Sequence, residues 1–192
     1  MSSSTNRTIK FFTVLLTFGV IFWIGNITAR AIIANEFFIP TTLTFRPDIT
    51  PDAERTLFQL VSATSSIALT SYCIVLVSAI YLLIKLPLRF KENGWMLVAS
   101  MLFCLFVPVE AFTAYLDLKF IFLWLHTKSI LSTEGFDLYM QHSTTLRETL
   151  SHRIGALSGL PVIALLCYFT AIVFTIWQPM KTIAARATTP TH

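Results

Sequence analysis

The chain has 192 residues, of which 55% are hydrophobic and 12% are charged. Soluble domains carry about 25% charged residues, so this composition argues against an ordinary soluble domain. The net charge of +4 does not indicate nucleic-acid binding. No run of five basic residues occurs, and the basic residues flank the apolar stretches instead.

Four apolar stretches predict an all-α fold, an integral membrane bundle of four transmembrane helices with a short outer interfacial segment. Each stretch exceeds the roughly 20 residues that cross a bilayer. The predicted spans are approximately 11–34, 57–84, 95–116 and 154–177. Residues 117–145 remain as a loop and interfacial segment, and we expect a single membrane domain over residues 1–192.

The first stretch has one alternative interpretation, a cleaved signal peptide. Arg7 and Lys10 form a positive start, and the small residues around Arg30 resemble a cleavage site. The apolar run is longer than the 7–15 residues or so of a typical signal core, so we expect an uncleaved helix. Trp23 falls near its middle, and we expect it to pack against a neighbouring helix.

The second helix has a clear predicted start and end. Thr50 followed by Pro51 is typical of a helix N-cap and first helical residue, and we expect the helix to run to about Lys85, where Pro87 ends it. Small hydroxyl-bearing residues repeat every four positions along it: Ser62, Ser66 and Thr70. In lipid such residues favour close helix packing; the alternative is a polar conduit lined by hydroxyls.

The third stretch predicts a helix that changes direction. Pro108 lacks an amide proton and clashes with the carbonyl of Cys104, so we expect a kink. A single helix over 95–131 would be about 55 Å long, well beyond a hydrocarbon core of about 30 Å. We therefore expect a bend at the interface or a separate segment along the membrane surface.

Three features mark the predicted last helix. Thr145 and Glu148 have the spacing of a capping box that opens it. Gly155 and Gly159 form a GxxxG pair that favours close helix packing. Pro161 predicts a second kink.

The candidate intramembrane polar site consists of Glu110, Arg30 and Asp117. Glu110 lies inside the third span, where an ionisable group is costly and needs a partner, a hydrated cavity or a proton. Asp117 is seven residues on and shares its helix face. Our first interpretation is an interhelical Arg30–Glu110 contact that fixes packing. The alternative is a proton-binding or ligand-binding carboxylate in a cavity opened by the kink at Pro108.

Histidines and cysteines give no support for a metal or a cofactor, and we expect none. Three histidines fall in predicted outer segments: His126, His142 and His152. They lack the spacing of a helical ligand pair, so we interpret them as solvated loop residues. Three cysteines fall near the middle of different spans: Cys73, Cys104 and Cys167. Buried cysteine is usually a small apolar filler.

Loop charges favour an orientation with both termini in the cytoplasm, in a cell or inner membrane. The terminal segments and the 85–93 loop hold seven basic residues and one acid, whereas the other side holds six basic residues and seven acids. Positive residues prefer the cytoplasmic side. Trp95 and Trp177 would then lie at the cytoplasmic interface, and Trp124 at the outer one.

The function that the sequence favours is a non-enzymatic structural, accessory or partner-binding role in the membrane. One alternative is an oligomeric transporter or channel-like subunit that uses Glu110 as a proton or cation site. Another is a membrane enzyme or redox carrier with a quinone, lipid or haem ligand near the outer face. The expected partners are the lipid bilayer and further copies or other membrane subunits, with no nucleic acid. No motif of a hydrolase, a nucleotide-binding loop or a metalloprotease occurs.

Overall fold

The computed structural model describes residues 3–39, 42, 44–85, 94–134, 136–155 and 159–177. Over these residues the protein is all-helical. The helices are α1 (Ser3–Asn35), α2 (Pro51–Lys85), α3 (Gly94–Glu134), α4 (Phe136–Gly155) and α5 (Leu160–Trp177). Helices α1, α2 and α3 are long and apolar enough to cross a membrane, which confirms a helical protein with membrane-capable helices. A count of four transmembrane helices stays a prediction.

The first two predicted spans are each contained in one helix. Helix α2 begins at Pro51, as predicted, and Thr50 caps it. The Ala53 amide lies 3.4 Å from Thr50 Oγ1, and the Glu54 amide donates to the Thr50 carbonyl at 2.9 Å. Helix α2 reaches Lys85, and the predicted stop at Pro87 lies outside the described residues.

The chain divides into two compact units. The first comprises the described parts of Met1–Lys85 and Ala114–Ala156, and the second those of Leu86–Thr113 and Leu157–His192. The first unit therefore holds α1, α2, the C-terminal part of α3 and α4. The second holds the N-terminal part of α3 and α5.

Helices α1 and α2 form an antiparallel pair in the first unit. Trp23 packs on Tyr72 with ring centroids 5.2 Å apart, which confirms the neighbour expected for this tryptophan. The closest approach lies at Gly19, where an added Cβ would come within 3.0 Å of Val75 Cγ2 and 3.6 Å of the Ser71 carbonyl oxygen. A glycine at this position lets the two backbones come together.

The buried face of α2 differs from the predicted seam of hydroxyl residues. Ser62 is buried, but Ser66 is half-buried and Thr70 is exposed, because an i, i+4 repeat drifts about 40° per step around a helix of 3.6 residues per turn. The buried positions follow alternating steps of three and four: Phe58, Val61, Ser65, Ala68, Tyr72 and Val75. The Ser66 and Thr70 hydroxyls donate to carbonyls four residues earlier at 2.8 and 2.9 Å. These two hydroxyl groups are therefore engaged within α2.

Helix α3 corrects the predicted interfacial segment. Residues 117–134 continue the same helix, which has 41 residues. Pro108 lies inside it, with helix on both sides, and the expected kink stays a prediction. A helix can continue in this way in either solvent, because its backbone groups remain paired whether lipid or water surrounds them.

Helix α4 corrects the predicted capping box. The helix begins at Phe136, nine residues before Thr145, so Thr145 and Glu148 lie inside it. The Thr149 hydroxyl donates to the Thr145 carbonyl at 2.8 Å, as in a helix interior. Residues 136–145, predicted as a loop, are helical, and Tyr139 among them is buried in the core.

A broken helix replaces the predicted continuous span over 154–177. Helix α4 ends at Gly155, and α5 begins at Leu160 after Gly159, which has a φ of +92°. Glycine adopts this left-handed conformation without the steric cost of a Cβ. Gly155 and Gly159 thus do not lie on one helix face, and an added Cβ at either meets nothing within 4 Å. Pro161 lies in the first turn of α5, where proline needs no kink.

In the second unit, α5 is a shorter apolar helix that packs on the N-terminal part of α3. Its buried positions are Ala164, Tyr168 and Ala171, spaced four and three apart on one face. The Tyr168 ring lies 5.7 Å from that of Phe103 and 6.4 Å from that of Phe106, centroid to centroid.

The main core of the first unit is aromatic and lies at one end of its helices. Its members come from α2, α3, α4 and the segment after α1: Phe37, Phe38, Phe58, Val61, Phe120, Trp124, Tyr139, Leu146 and Leu150. A β-bridge between Phe38 and Phe45 folds the α1–α2 connection over this cluster. Trp124 is 4% exposed and its ring belongs to this core; its predicted place at the level of the outer interface stays a prediction. We call the described residues of 30–65 and 117–155 the head.

Candidate functional site

A carboxylate shared by two arginines joins three helices of the first unit. Asp117 on α3 accepts hydrogen bonds from Arg30 on α1 and from Arg153 on α4. Arg153 Nε lies 2.7 Å from Asp117 Oδ1, and Arg30 Nη1 pairs with Oδ2. Ser65 on α2 adds a weak contact, with its Oγ 3.5 Å from Arg30 Nη1.

The triad of Arg30, Asp117 and Arg153 is largely shielded from water. The three side chains are 10%, 9% and 17% exposed, respectively. A charge in such a place is costly unless it is paired and hydrogen-bonded, and a guanidinium can offer several N–H groups to a carboxylate. The triad therefore fixes how α1, α3 and α4 meet.

A second interhelical ion pair lies nearer the start of α2. Glu54 is 2% exposed, and both of its carboxylate oxygens accept from Arg147 on α4, with Arg147 Nη2 2.8 Å from Oε2. This two-pronged contact is the strong geometry for arginine and a carboxylate. The Arg147 guanidinium carbon also lies 5.8 Å from the centre of the Phe45 ring. The hydrogen bond to Glu54 raises the pKa of Arg147, while burial opposes the increase.

Tyr139 is buried beside this second pair. It is 1% exposed, and burial, together with the nearby Glu54 charge, raises its pKa to about 12. The phenol therefore stays neutral at physiological pH. The Tyr139 ring belongs to the aromatic core, and burial is the main reason that its hydroxyl stays protonated.

The α1–α2 connection carries a third group of charges, which are exposed. Arg46 lies 3.1 Å from Asp48 and 3.6 Å from Glu36, nitrogen to oxygen. The hydrogen bond from Arg46 lowers the pKa of Asp48 and raises that of Arg46. Exposed pairs of this kind contribute little to stability.

The structure brings together two of the three residues predicted for the intramembrane polar site. Arg30 and Asp117 are in direct contact, so Asp117 supplies a carboxylate partner for Arg30 where the sequence suggested Glu110. Glu110 belongs to the second unit and is half-buried. The Thr113 hydroxyl donates to the Glu110 carbonyl at 3.0 Å and lies 3.4 Å from its Oε2. A contact between Arg30 and Glu110 stays a prediction.

Three participants were missed from the sequence: Glu54, Arg147 and Arg153. Each appears there as an ordinary charge at a helix start or on a polar helix, where solvation is the usual outcome. One sequence feature could have identified them: residues 136–155 are mostly polar but contain apolar residues at intervals. The apolar positions at Tyr139, Leu146 and Leu150 mark a helix that must cover a core.

Histidines and cysteines take positions that differ from the prediction. His126 and His142 lie on α3 and α4, not in loops, with ring centroids 6.0 Å apart. Cys73 and Cys104 are exposed free thiols, and Cys167 is half-buried. Among the described residues no group of three or more His, Cys, Asp or Glu side chains has the arrangement of a metal site.

Comparison of the chain with protein-family models, with curated proteins and with solved structures gives no match.

Proposed function

We propose that this chain is a non-enzymatic, multi-pass integral membrane protein whose head serves as a rigid docking element for another membrane subunit or a further copy. One observation carries the proposal. All three charged residues that are buried among the described residues, Arg30, Glu54 and Asp117, are in ion pairs that join different helices. The buried charges are thus used to hold helices in place.

The lengths of the helices support a head outside the hydrocarbon. Helices α1 and α2 have 33 and 35 residues, which makes each about 50 Å long. A hydrocarbon core takes about 30 Å of that length. The remainder suffices for the turns that carry Glu54 and Phe58.

The distribution of apolar surface supports the same arrangement. Away from the head, α1 and α2 present large apolar side chains outward. These side chains are between 47% and 73% exposed: Phe11, Phe18, Ile21, Val77, Ile80 and Ile84. Water disfavours such a surface, whereas lipid tails solvate it. The exposed residues of α4 over 142–155 include the polar Thr144, Thr145, Glu148 and His152, while Leu146 and Leu150 pack in the aromatic core.

The geometry at Asp117 argues against use of this carboxylate in a transport cycle. Both of its oxygens are occupied by guanidinium groups, and removing one partner from a buried pair is costly. A site that binds and releases a proton or a cation needs a carboxylate that can change partners at low cost. Glu110 is the residue on which the transport alternative depends.

Reconstitution in liposomes and native mass measurement in nanodiscs test the proposal together. We expect proton and monovalent-cation flux equal to that of empty vesicles, and a complex with a second subunit or copy that survives mild detergent. The matched variants are Glu110→Gln and the apolar triple change Arg30→Met, Asp117→Leu and Arg153→Met, and we expect both to retain the complex. Flux that Glu110→Gln abolishes would overturn the proposal, as would a strictly monomeric protein.

A further inference from the structure

We propose that His126 and His142 form a two-histidine site for a divalent transition-metal ion of the Zn²⁺ or Cu²⁺ type, which bridges α3 and α4. The site lies in the head and is separate from the ion pairs described above. Its ring centroids are 6.0 Å apart and its ring planes meet at 65°. The proposal rests on the proposed position of the head outside the hydrocarbon, and it does not depend on the docking role.

The distance between the rings fits one shared ion. With a metal–nitrogen bond of about 2.1 Å, two imidazoles on one tetrahedral ion have ring centres about 5–6 Å apart. The observed centroid spacing of 6.0 Å lies at the upper end of this range. Imidazole is a favoured ligand for Zn²⁺ and Cu²⁺, whereas Mg²⁺ and Ca²⁺ prefer oxygen.

The backbones that carry the pair are held in place by other contacts. Asp117 and Arg153 join α3 to α4 nine residues before His126 and eleven after His142, at 2.7 Å. Trp124, two residues before His126, is packed in the aromatic core. The two histidines thus face each other without relying on their own contact, so binding an ion costs little rearrangement of the backbone.

The exposure of the pair suits an ion taken from water. His126 is exposed and His142 is half-buried, so an ion can reach both rings and keep water in its remaining positions. An open position of this kind is typical of zinc sites that have fewer than four protein ligands. The bound ion would fasten the end of α3 to the start of α4, close to the junction between the two helices.

Zinc titration of the full chain tests the site. The protein is purified in nanodiscs without a polyhistidine tag and titrated with ZnCl₂ by calorimetry, with MgCl₂ as the control ion. We expect one zinc ion per chain and no heat with magnesium. Mutation of a residue that only supports a metal ligand lowers metal affinity by about 10–100-fold. Loss of a ligand itself should cost at least as much, so His126→Ala and His142→Ala should each weaken zinc binding at least about tenfold.

The matched control is His152→Ala, which removes an exposed histidine from the same α4 helix and should leave zinc affinity unchanged. Electron spin echo measurements with Cu²⁺ count the imidazoles directly, with two expected in the wild type and one in each single variant. Absence of zinc binding by the wild type would overturn the proposal. So would equal affinity in the double variant His126→Ala/His142→Ala, or a single imidazole on Cu²⁺ in the wild type.

Discussion

Two arginine–carboxylate networks in the first unit contain the same chemical groups in opposite surroundings. Asp117 is 9% exposed and is held by Arg30 and Arg153 across three helices. Arg46 and Asp48 are 39% and 66% exposed and lie two residues apart on one loop. In the exposed network water solvates each group alone, so either partner can be lost. In the buried network each group depends on the others.

The largest effect is expected at Asp117. Asp117→Asn keeps the size of the side chain but removes the charge that the buried guanidinium of Arg30 and the half-buried guanidinium of Arg153 share. We expect a loss of about 3–5 kcal/mol in the free energy of unfolding, as for removal of one partner from a buried pair. Denaturant titration in detergent measures this loss. The control is Asp48→Asn, for which we expect no measurable change; equal effects at the two positions would abolish the comparison.

The pair of Arg147 and Glu54 lies between these extremes, because one partner is buried and the other is 38% exposed. Arg147→Met leaves a buried carboxylate without its guanidinium, and we expect a loss of about 2–3 kcal/mol. Glu54→Gln leaves an arginine that can turn toward water, so its cost should be smaller, about 1 kcal/mol. The same titration compares the two variants, and the reverse order would contradict the burial argument.

The next effect concerns the close packing of α1 on α2. This packing also positions the helix that carries Arg30 of the triad. Gly19→Leu places a large side chain where a Cβ already comes within 3.0 Å of Val75. Overpacking of this kind costs about 1–3 kcal/mol, and thermal unfolding should show it. Gly25→Leu is the matched control, since an added Cβ there meets nothing within 4 Å. We expect no loss from it, and a loss equal to that of Gly19→Leu would contradict the packing explanation.

The smallest effect concerns pH and Tyr139. Its folded pKa of about 12 lies above the usual value of about 10. Below about pH 10 the phenol is neutral in both folded and unfolded chains. Between about pH 10 and pH 12 the unfolded chain releases the proton while the folded chain keeps it, so stability falls as the pH rises. Tyr139→Phe should reduce this fall when unfolding is measured at about pH 9 and about pH 11; an unchanged pH dependence would show that Tyr139 is not its source.

Much of the helical architecture was predictable because long apolar runs have few alternatives. The stretches around Trp23 and Tyr72 became α1 and α2 at nearly the expected bounds, and the cap at Thr50 was found from local chemistry alone. The end of α4 at Gly155 was not predicted. The apolar run over 154–177 predicted one continuous helix despite the break at Gly159, because hydropathy indicates which solvent surrounds a segment and carries little information about a single left-handed residue.

The candidate site was only half predictable for a different reason. Arg30 and Asp117 stood out because they are ionisable groups beside apolar runs, where charge is expensive. Arg153 and Glu54 did not, since a charge on a polar helix or at a helix start normally meets water. Their ion pairs depend on α4 folding back over the aromatic core, a long-range contact that no local pattern specifies.

The sequence by itself determined that this protein is helical and that it has long apolar segments suited to a bilayer, because apolar length and sparse charge are properties of each segment alone. Tertiary structure decided which carboxylate Arg30 meets, that Trp124 lies inside a core and that His126 faces His142. These outcomes depend on the packing of side chains from distant parts of the chain. Such packing is set by shape and by the cost of leaving a buried charge unpaired.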